Sequence, residues 1–323
     1  MSYTIGIDLG GSCVKAVVVT PDGKTLTSHN LPFDAEADME WANCLRELVQ
    51  SIEEDQDGKP DNMGFSAPGL AAPDGGCITH MPVRLEGLVG LNWQKFFDFS
   101  KAIPVLNDGH AALLGEAWLG AAKGFQTVIL LTLGTGVGGA ALVEGKLLRG
   151  RTGKAGHFAH TSLGPDGPPD DCGCPSSLEL AIGNCSILER SNGRFTHTGE
   201  MMEAIENGDD EAEKIWLKSV KGLATAICSF SNILDPEAVI LGGGIAKAGD
   251  RLFVPLREYL DPLLWKTDDY EIKLLPAQLG DLARSEEHTS ALPSHLNPVC
   301  RLLLEKKNST PPPPTIATTP PSS

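Results

Sequence analysis

The sequence predicts an α/β protein built from two related lobes. Three observations predict it. The stretch Ile5 to Val19, IGIDLGGSCVKAVVV, reads as an apolar strand, a glycine turn and a second strand. The stretch Val128 to Val143, VILLTLGTGVGGAALV, repeats that order about one small domain later. The chain's 323 residues are enough for two lobes with separate cores.

Each element follows from its pattern. In the first hairpin Ile5 and Ile7 form a buried strand that ends at Asp8, and Gly10-Gly11-Ser12 makes the turn. Pro21-Asp22-Gly23-Lys24 lets a third strand return. Asp38 caps a helix from Met39 to about Glu53, with Trp41, Cys44, Leu45, Leu48 and Ile52 as its buried stripe. Met63 to Ser66 is a strand, Ala71 to Asn92 an irregular Gly/Pro-rich layer, and Trp93 to Phe99 a short helix. Ile103 to Leu106 is a strand that ends at Asn107-Asp108, and Ala111 to Ala122 is a helix. After the second hairpin comes a long loop, Arg149 to Asp171. Helices follow at Ser177 to Glu189, Glu211 to Ile233 and Ala248 to Tyr259, with strands at Ala238 to Leu241 and Ile272 to Leu275. From Arg284 the chain becomes irregular, and its Pro/Ser/Thr-rich end cannot build a core, which predicts disorder.

Composition narrows the function. A net charge of −16 and a pI near 4.9 oppose binding to nucleic acid or to an anionic membrane surface. No apolar run is long enough to span a bilayer, and the N-terminus enters a strand without a signal-peptide pattern. Eight scattered cysteines, several in apolar stretches, read as free thiols of a reducing cytoplasm. The glycine turns carry the chemistry. A glycine pair lets backbone N–H groups close around a phosphate. A carboxylate beside such a turn, Asp8, repels phosphate unless a cation lies between them, which points to Mg²⁺. Two such hairpins suggest one nucleotide held between two lobes. A plain hairpin is the simpler reading of either turn alone. The P-loop pattern is absent.

Four stretches in order carry a resemblance. Asp8-Leu9-Gly10-Gly11-Ser12 with Lys15, Leu106-Asn107-Asp108, Leu133 to Gly139, and Leu241-Gly242-Gly243-Gly244 look like the ordered motifs of the ROK family. The resemblance covers roughly residues 3 to 283. It implies the two-lobed actin/hexokinase-like (ribonuclease-H-like) fold and an ATP-dependent, glucokinase-like sugar kinase. It places an N-terminal lobe at 1–107 and a C-terminal lobe at 108–283, with a non-native-looking tail at 284–323. Parts of that tail resemble translated sequencing-adapter read-through, standing where the family has a closing helix after Leu279-Gly280-Asp281.

The same resemblance implies residue roles. Asp108 is the general base toward a sugar hydroxyl, and Asn107 a sugar contact; without the resemblance, Asp108 reads as a helix N-cap. Gly134-Thr135-Gly136 meets the β/γ-phosphates, Gly10, Gly11, Ser12 and Lys15 form the first phosphate loop, and Gly242-Gly243-Gly244 lies beside adenosine. On the sugar side stand Gly69, His157 and Glu179. Lys154 occupies the position of a family Glu; an ammonium only donates hydrogen bonds, so the sugar preference changes or a charged sugar is favoured. His110 stands where the family has Asn, and neither Leu70-Ala71-Ala72 nor Pro82-Val83-Arg84 keeps the polar residue usual there. The family often binds structural Zn²⁺ through a His and three Cys. Here His157, Cys172 and Cys174 remain without the third Cys, too few for a closed site; His160 could compensate for the longer spacing from His157 to Cys172, and Cys185 is the only nearby spare thiol. Mg-ATP and a hexose are the expected ligands. N-acetylglucosamine or N-acetylmannosamine is the alternative acceptor, and polyphosphate an alternative donor. A homodimer is compatible with the resemblance. A sugar-binding regulator is the rival reading; a DNA-binding member needs a helix-turn-helix ahead of Ile5, for which four residues leave no room.

Overall fold

The structure is a computed structural model of the chain, and it describes residues 2–22, 24–34, 37, 39–81, 85–267 and 271–279. Gly23, Asp38, Pro82 to Arg84, Gly280-Asp281 and the tail from Arg284, on all of which the sequence carries expectations, lie outside the described residues.

The first lobe is a sheet of five strands: β1 (Thr4–Leu9), β2 (Cys13–Val19), β3 (Thr25–Pro32), β4 (Asn62–Ala67) and β7 (Val105–Asn107). Their order is β3-β2-β1-β4-β7, with β1–β2 and β2–β3 antiparallel and β1–β4 and β4–β7 parallel. Ile5, Ile7 and Leu9 are buried, as a central strand covered on both faces requires. The edge strand β3 is polar and partly exposed. Helix α1 (Glu40–Asp55) packs its stripe of Trp41, Leu45, Leu48, Val49 and Ile52 on this sheet, with Met39 in its cap position. The irregular layer beyond β4 contains a small ribbon, β5 (Leu70–Ala71) with β6 (Ile78–His80). The helix expected to reach Phe99 stops after one turn, α2 (Trp93–Phe96), where Asp98 turns left-handed.

The second lobe repeats the arrangement with β8 (Val128–Leu133), β9 (Val137–Val143), β10 (Lys146–Leu147), β11 (Ala238–Gly242) and β12 (Lys273–Pro276). Their order is β10-β9-β8-β11-β12, with the same antiparallel and parallel pairings. Helix α3 (Asp108–Leu119) leaves the first sheet and packs on the second, burying Leu113 against Leu130 and Leu142. The opposite face carries α4 (Leu178–Ile182), α5 (Ile187–Arg190), α6 (Thr198–Glu206), α7 (Asp210–Leu234) and α8 (Asp250–Leu260). In α7, Trp216, Val220, Leu223, Ile227 and Phe230 form the buried stripe, and Asp235 in the left-handed region ends the helix. The single helix expected from Ser177 to Glu189 is broken at Gly183, whose extended backbone (φ −62°, ψ 151°) separates α4 from α5.

Candidate active site

A cleft of about 340 Å³ opens between the two sheets. Asp8, Gly10, Gly11 and Lys15 line it from the first hairpin, and Asp108, Gly109 and Glu116 from α3. Thr132, Gly242 and Gly243 close its other side. The ladder puts Lys15 opposite Asp8, so one carboxylate and one ammonium share the mouth of the turn. That pair, beside a glycine turn, suits a metal–phosphate group: Asp8 would hold Mg²⁺ and Lys15 a phosphate oxygen. The Ser12 carbonyl is taken by Phe33 N at 2.9 Å.

Helix α3 starts at Asp108, three residues earlier than expected, because the cap is Asn107 and not Asp108. Asn107 Oδ1 accepts from Gly109 N at 2.9 Å, and its Nδ2 donates to the Gly69 carbonyl at 3.0 Å. Asn107 therefore joins β7, α3 and the Gly69 turn, and the carboxylate of Asp108 is exposed at the cleft. Gly69 has φ +94°, and a Cβ there would lie 2.5 Å from the His80 carbonyl.

The glycine surplus of the second hairpin has a packing cause. A Cβ on Gly136 would lie 2.3 Å from Glu179 Oε2, one on Gly138 2.3 Å from Thr132 Oγ1, and one on Gly139 2.8 Å from the Phe158 ring. Gly134 and Gly244 meet nothing within 4 Å. Gly243 sits at φ +86° against the Leu133 carbonyl. Thus Gly134 and Gly244 have open space where a side chain would stand, while Gly136, Gly138 and Gly139 admit neighbours. Glu179 accepts from Val137 N at 2.8 Å, so one of its oxygens braces the hairpin. Asn184 N and Cys185 N donate to the carbonyls of Gly134 and Thr135 at 2.9 and 2.7 Å.

The 149–157 loop touches the first lobe. Arg149 Nη1 donates to the Pro73 carbonyl at 2.9 Å, and Gly153 (φ +83°) lies so close to Ala71 that a Cβ would sit 2.0 Å from its carbonyl. His110 is buried and meets His157 edge-on, ring centroids 5.8 Å apart. The Nε2 atoms of both are buried without a hydrogen-bond partner. Burial, followed by the neighbouring His157, pushes the His110 imidazole down to about 4, against a raising hydrogen bond at the Ala155 backbone. Burial also lowers His157, with His160 and the Lys154 ammonium adding to it. Two neutral imidazoles thus stand beside exposed Lys154. The sequence left His110 without a role; its signal was a histidine within one helical turn of Asp108.

Sequence reasoning also missed Glu116. Its buried carboxylate accepts from Ala121 N at 2.7 Å, Leu279 N at 2.8 Å and Gln278 N at 3.2 Å, tying α3 to the segment after β12. No sequence pattern announces it, since its partners lie far along the chain.

The three residues left of the family's zinc set, His157, Cys172 and Cys174, do not come together. Among the described residues, His160, Asp170 and Cys172 bring ligand atoms within 4.8 Å of one another, whereas His157 faces His110. Asp170 Oδ1 already accepts from Cys172 N and Cys174 N, both at 2.9 Å, and Oδ2 from His160 Nδ1 at 2.8 Å. Burial works to raise the Asp170 carboxyl, but bonds from His160, Cys174 N, Ser177 and Cys172 N together hold it below its ordinary value. Burial and Asp170 push the Cys172 thiol up. Cys172 Sγ and His160 Nε2 are hydrogen-bonded to each other at 3.5 Å, and with the Asp170 oxygens already bonded this set does not fit a four-ligand zinc site.

Comparison with known proteins places this chain. The ROK family profile matches residues 4–284. The chain belongs to the ROK family. It is 32% identical over 273 residues to a glucokinase of Thermotoga maritima, covering 79% of this chain and 86% of that protein. It is 29% identical over 253 residues to an N-acetylmannosamine kinase of Vibrio cholerae, covering 76% and 85%. The ROK glucokinase of Streptomyces griseus, solved with glucose and AMPPNP, superposes with a TM-score of 0.72 at 24% identity, covering 93% of this chain and 99% of that one. The fold of this ROK protein is therefore the two-lobed actin-like one.

Proposed function

We propose that this ROK-family sugar kinase transfers the γ-phosphoryl group of Mg-ATP to a hydroxyl of a glucose-like hexose, with Asp108 as general base. One observation carries the reading: the Asp108 carboxylate shares a single inter-lobe cleft with Asp8, Gly10, Gly11, Lys15, Gly242 and Gly243. The nucleotide lies along the glycine turns, and the sugar approaches from the His157 side. As the sugar oxygen bonds to phosphorus, its proton passes to Asp108 and ADP leaves. Asp8 would hold Mg²⁺, which would neutralise charge at the phosphates. Lys15 adds positive potential there. Neutral His110 and His157, their Nε2 atoms buried, pack together behind the Lys154 loop, and Asn107 keeps the base in register through Gly69.

A second acceptor is favoured by one feature. Lys154 stands where a carboxylate would accept from hydroxyls, and an ammonium suits an acyl carbonyl. That supports an N-acetylhexosamine. The test measures ADP release against glucose, mannose, N-acetylglucosamine and N-acetylmannosamine, with polyphosphate as a second donor and Asp108→Asn as control. Sugar-dependent turnover lost in the control upholds the reading and names the acceptor. A folded protein with no turnover on any pair overturns it and leaves the sugar-binding regulator.

A further inference from the structure

A second cavity, of about 630 Å³, lies on the outer side of the second lobe between α4, α5 and α7. It is larger than the inter-lobe cleft and shares no lining residue with it. Its charged lining is Arg190, Lys214, Lys218 and Glu211, three cations to one anion in a chain of net charge −16. Glu211 pairs with Lys214 at 3.5 Å. Arg190 and Lys218 make no ion pair among the described residues.

Arg190 is held in a fixed pose by neutral acceptors alone. Its Nε donates to Ser186 Oγ at 3.0 Å, Nη1 to Ser219 Oγ at 2.5 Å, and Nη2 to the Gly183 carbonyl at 2.7 Å. Burial lowers the guanidinium to about 10, which leaves it cationic at neutral pH. A largely desolvated cation without a carboxylate is costly unless an anion completes it. The fixed fork leaves N–H groups over, and a guanidinium with nearby ammonium groups is the usual recognition set for a phosphoryl group.

We propose that this cavity is a ligand site for a small phosphomonoester dianion, bound by Arg190, Lys218 and Lys214. The ligand would be inorganic phosphate or a hexose phosphate. The second source rests on the kinase reading above, since that reaction's product carries such a dianion. The cavity wall is continuous with the second phosphate hairpin. Gly183, which holds Arg190, precedes Asn184 and Cys185, whose N–H groups brace Gly134 and Thr135. Gly183 N in turn bonds the backbone carbonyl of Glu179, whose carboxylate holds Val137. An anion drawn onto Arg190 therefore acts on the segment that positions the nucleotide turn, which makes it an effector of ATP use.

The test is calorimetric titration of the full chain with inorganic phosphate and, separately, with glucose 6-phosphate, each with and without saturating Mg-AMPPNP. Binding is expected to persist with the nucleotide present, and the double variant Lys214→Ala/Lys218→Ala is expected to weaken it about tenfold or more. Arg190→Lys, which keeps the charge and loses the fork, should weaken it as well. Tighter binding of glucose 6-phosphate names the sugar phosphate as ligand; equal or weaker binding names free phosphate. No saturation by either anion at millimolar concentration overturns the proposal, as does a double variant that binds like the wild type. Because the readout is binding, a failure of the kinase reading leaves this result interpretable.

Discussion

The two sheets share one strand order, yet their leading hairpins are held differently. The turn at Gly10 to Ser12 is tied by bonds within its own sheet: Gly10 N to the Cys13 carbonyl, and Phe33 N to the Ser12 carbonyl, each 2.9 Å. The turn at Gly134 to Gly136 is gripped from outside, by Glu179, Asn184 and Cys185 on a segment between α3 and α7. The difference comes from where long insertions leave each lobe. Between β10 and β11 the second lobe gains four helices, α4 to α7, and the first of them lands on its hairpin. Duplicated topology therefore does not mean duplicated mechanics. The second turn is braced and the first is left to respond to what binds.

The largest expected effect falls on neither hairpin but on the residue between them. Asp108→Asn should lower kcat by about 10²–10⁴ with the melting temperature little changed, read by ADP release and thermal unfolding. A comparable kcat in the variant would remove Asp108 from the chemistry.

Next comes the pair of histidines under the sugar side. The folded pKa of His110 is depressed to about 4. The unfolded chain therefore binds the proton more readily between about pH 6.5 and 4. Stability from this group is full above about pH 6.5 and is lost as pH falls toward 4, by up to about 3 kcal/mol. Urea unfolding at pH 7 and pH 4.5 checks the slope. His110→Asn should flatten it, and an unchanged slope would assign the loss elsewhere.

The two turns can then be set against each other. Gly136→Ala and Gly139→Ala force a methyl into Glu179 or Phe158 and should each cost about 1–3 kcal/mol by denaturant unfolding. Gly134→Ala meets open space and should leave stability within about 0.5 kcal/mol while raising the KM for ATP. If Gly134→Ala unfolds the protein as readily as Gly136→Ala, the braced turn is tight throughout and the contrast fails.

Asp170→Asn tests the loop that delivers Glu179 to the hairpin. Losing the charged acceptor for His160 and two backbone N–H groups should cost about 1–3 kcal/mol. A chelator should leave the wild-type melting temperature unchanged. A chelator-dependent fall would show that a metal, and not Asp170, holds this loop.

The smallest effect is expected at Lys154. Exposed and outside the strand framework, it should alter preference and not folding. Lys154→Glu should shift the KM ratio between glucose and N-acetylmannosamine several-fold with kcat nearly constant. An unchanged ratio would detach Lys154 from the sugar.

Much of the fold was legible in the sequence because it rests on local signals. Apolar runs that end at Asp8 and Leu133, with glycine turns after them, fix strand, turn and strand within about fifteen residues. The stripe of α7 and the Asp235-Pro236 stop are local too. Where the sequence misled, a nearest-neighbour rule met a long-range partner. Ser177 to Glu189 carries helical periodicity, but Gly183 bends so that Asn184 and Cys185 can reach Gly134 and Thr135 some fifty residues away. Asn107, and not Asp108, became the cap because its amide also had to meet Gly69.

By itself, then, the sequence determined two glycine-turn hairpins, an acidic chain and an Asn-Asp pair at a strand end, since each is written in adjacent residues. Only the tertiary structure decided that Asp8 and Asp108 face one cleft, that His110 pairs with His157, that Asp170 gathers His160 and two cysteine N–H groups, and that Arg190 lies partly buried on neutral acceptors. Those facts depend on burial and on groups distant along the chain. A side chain's dielectric surroundings and its partners come into being only when the two lobes and their insertions have packed.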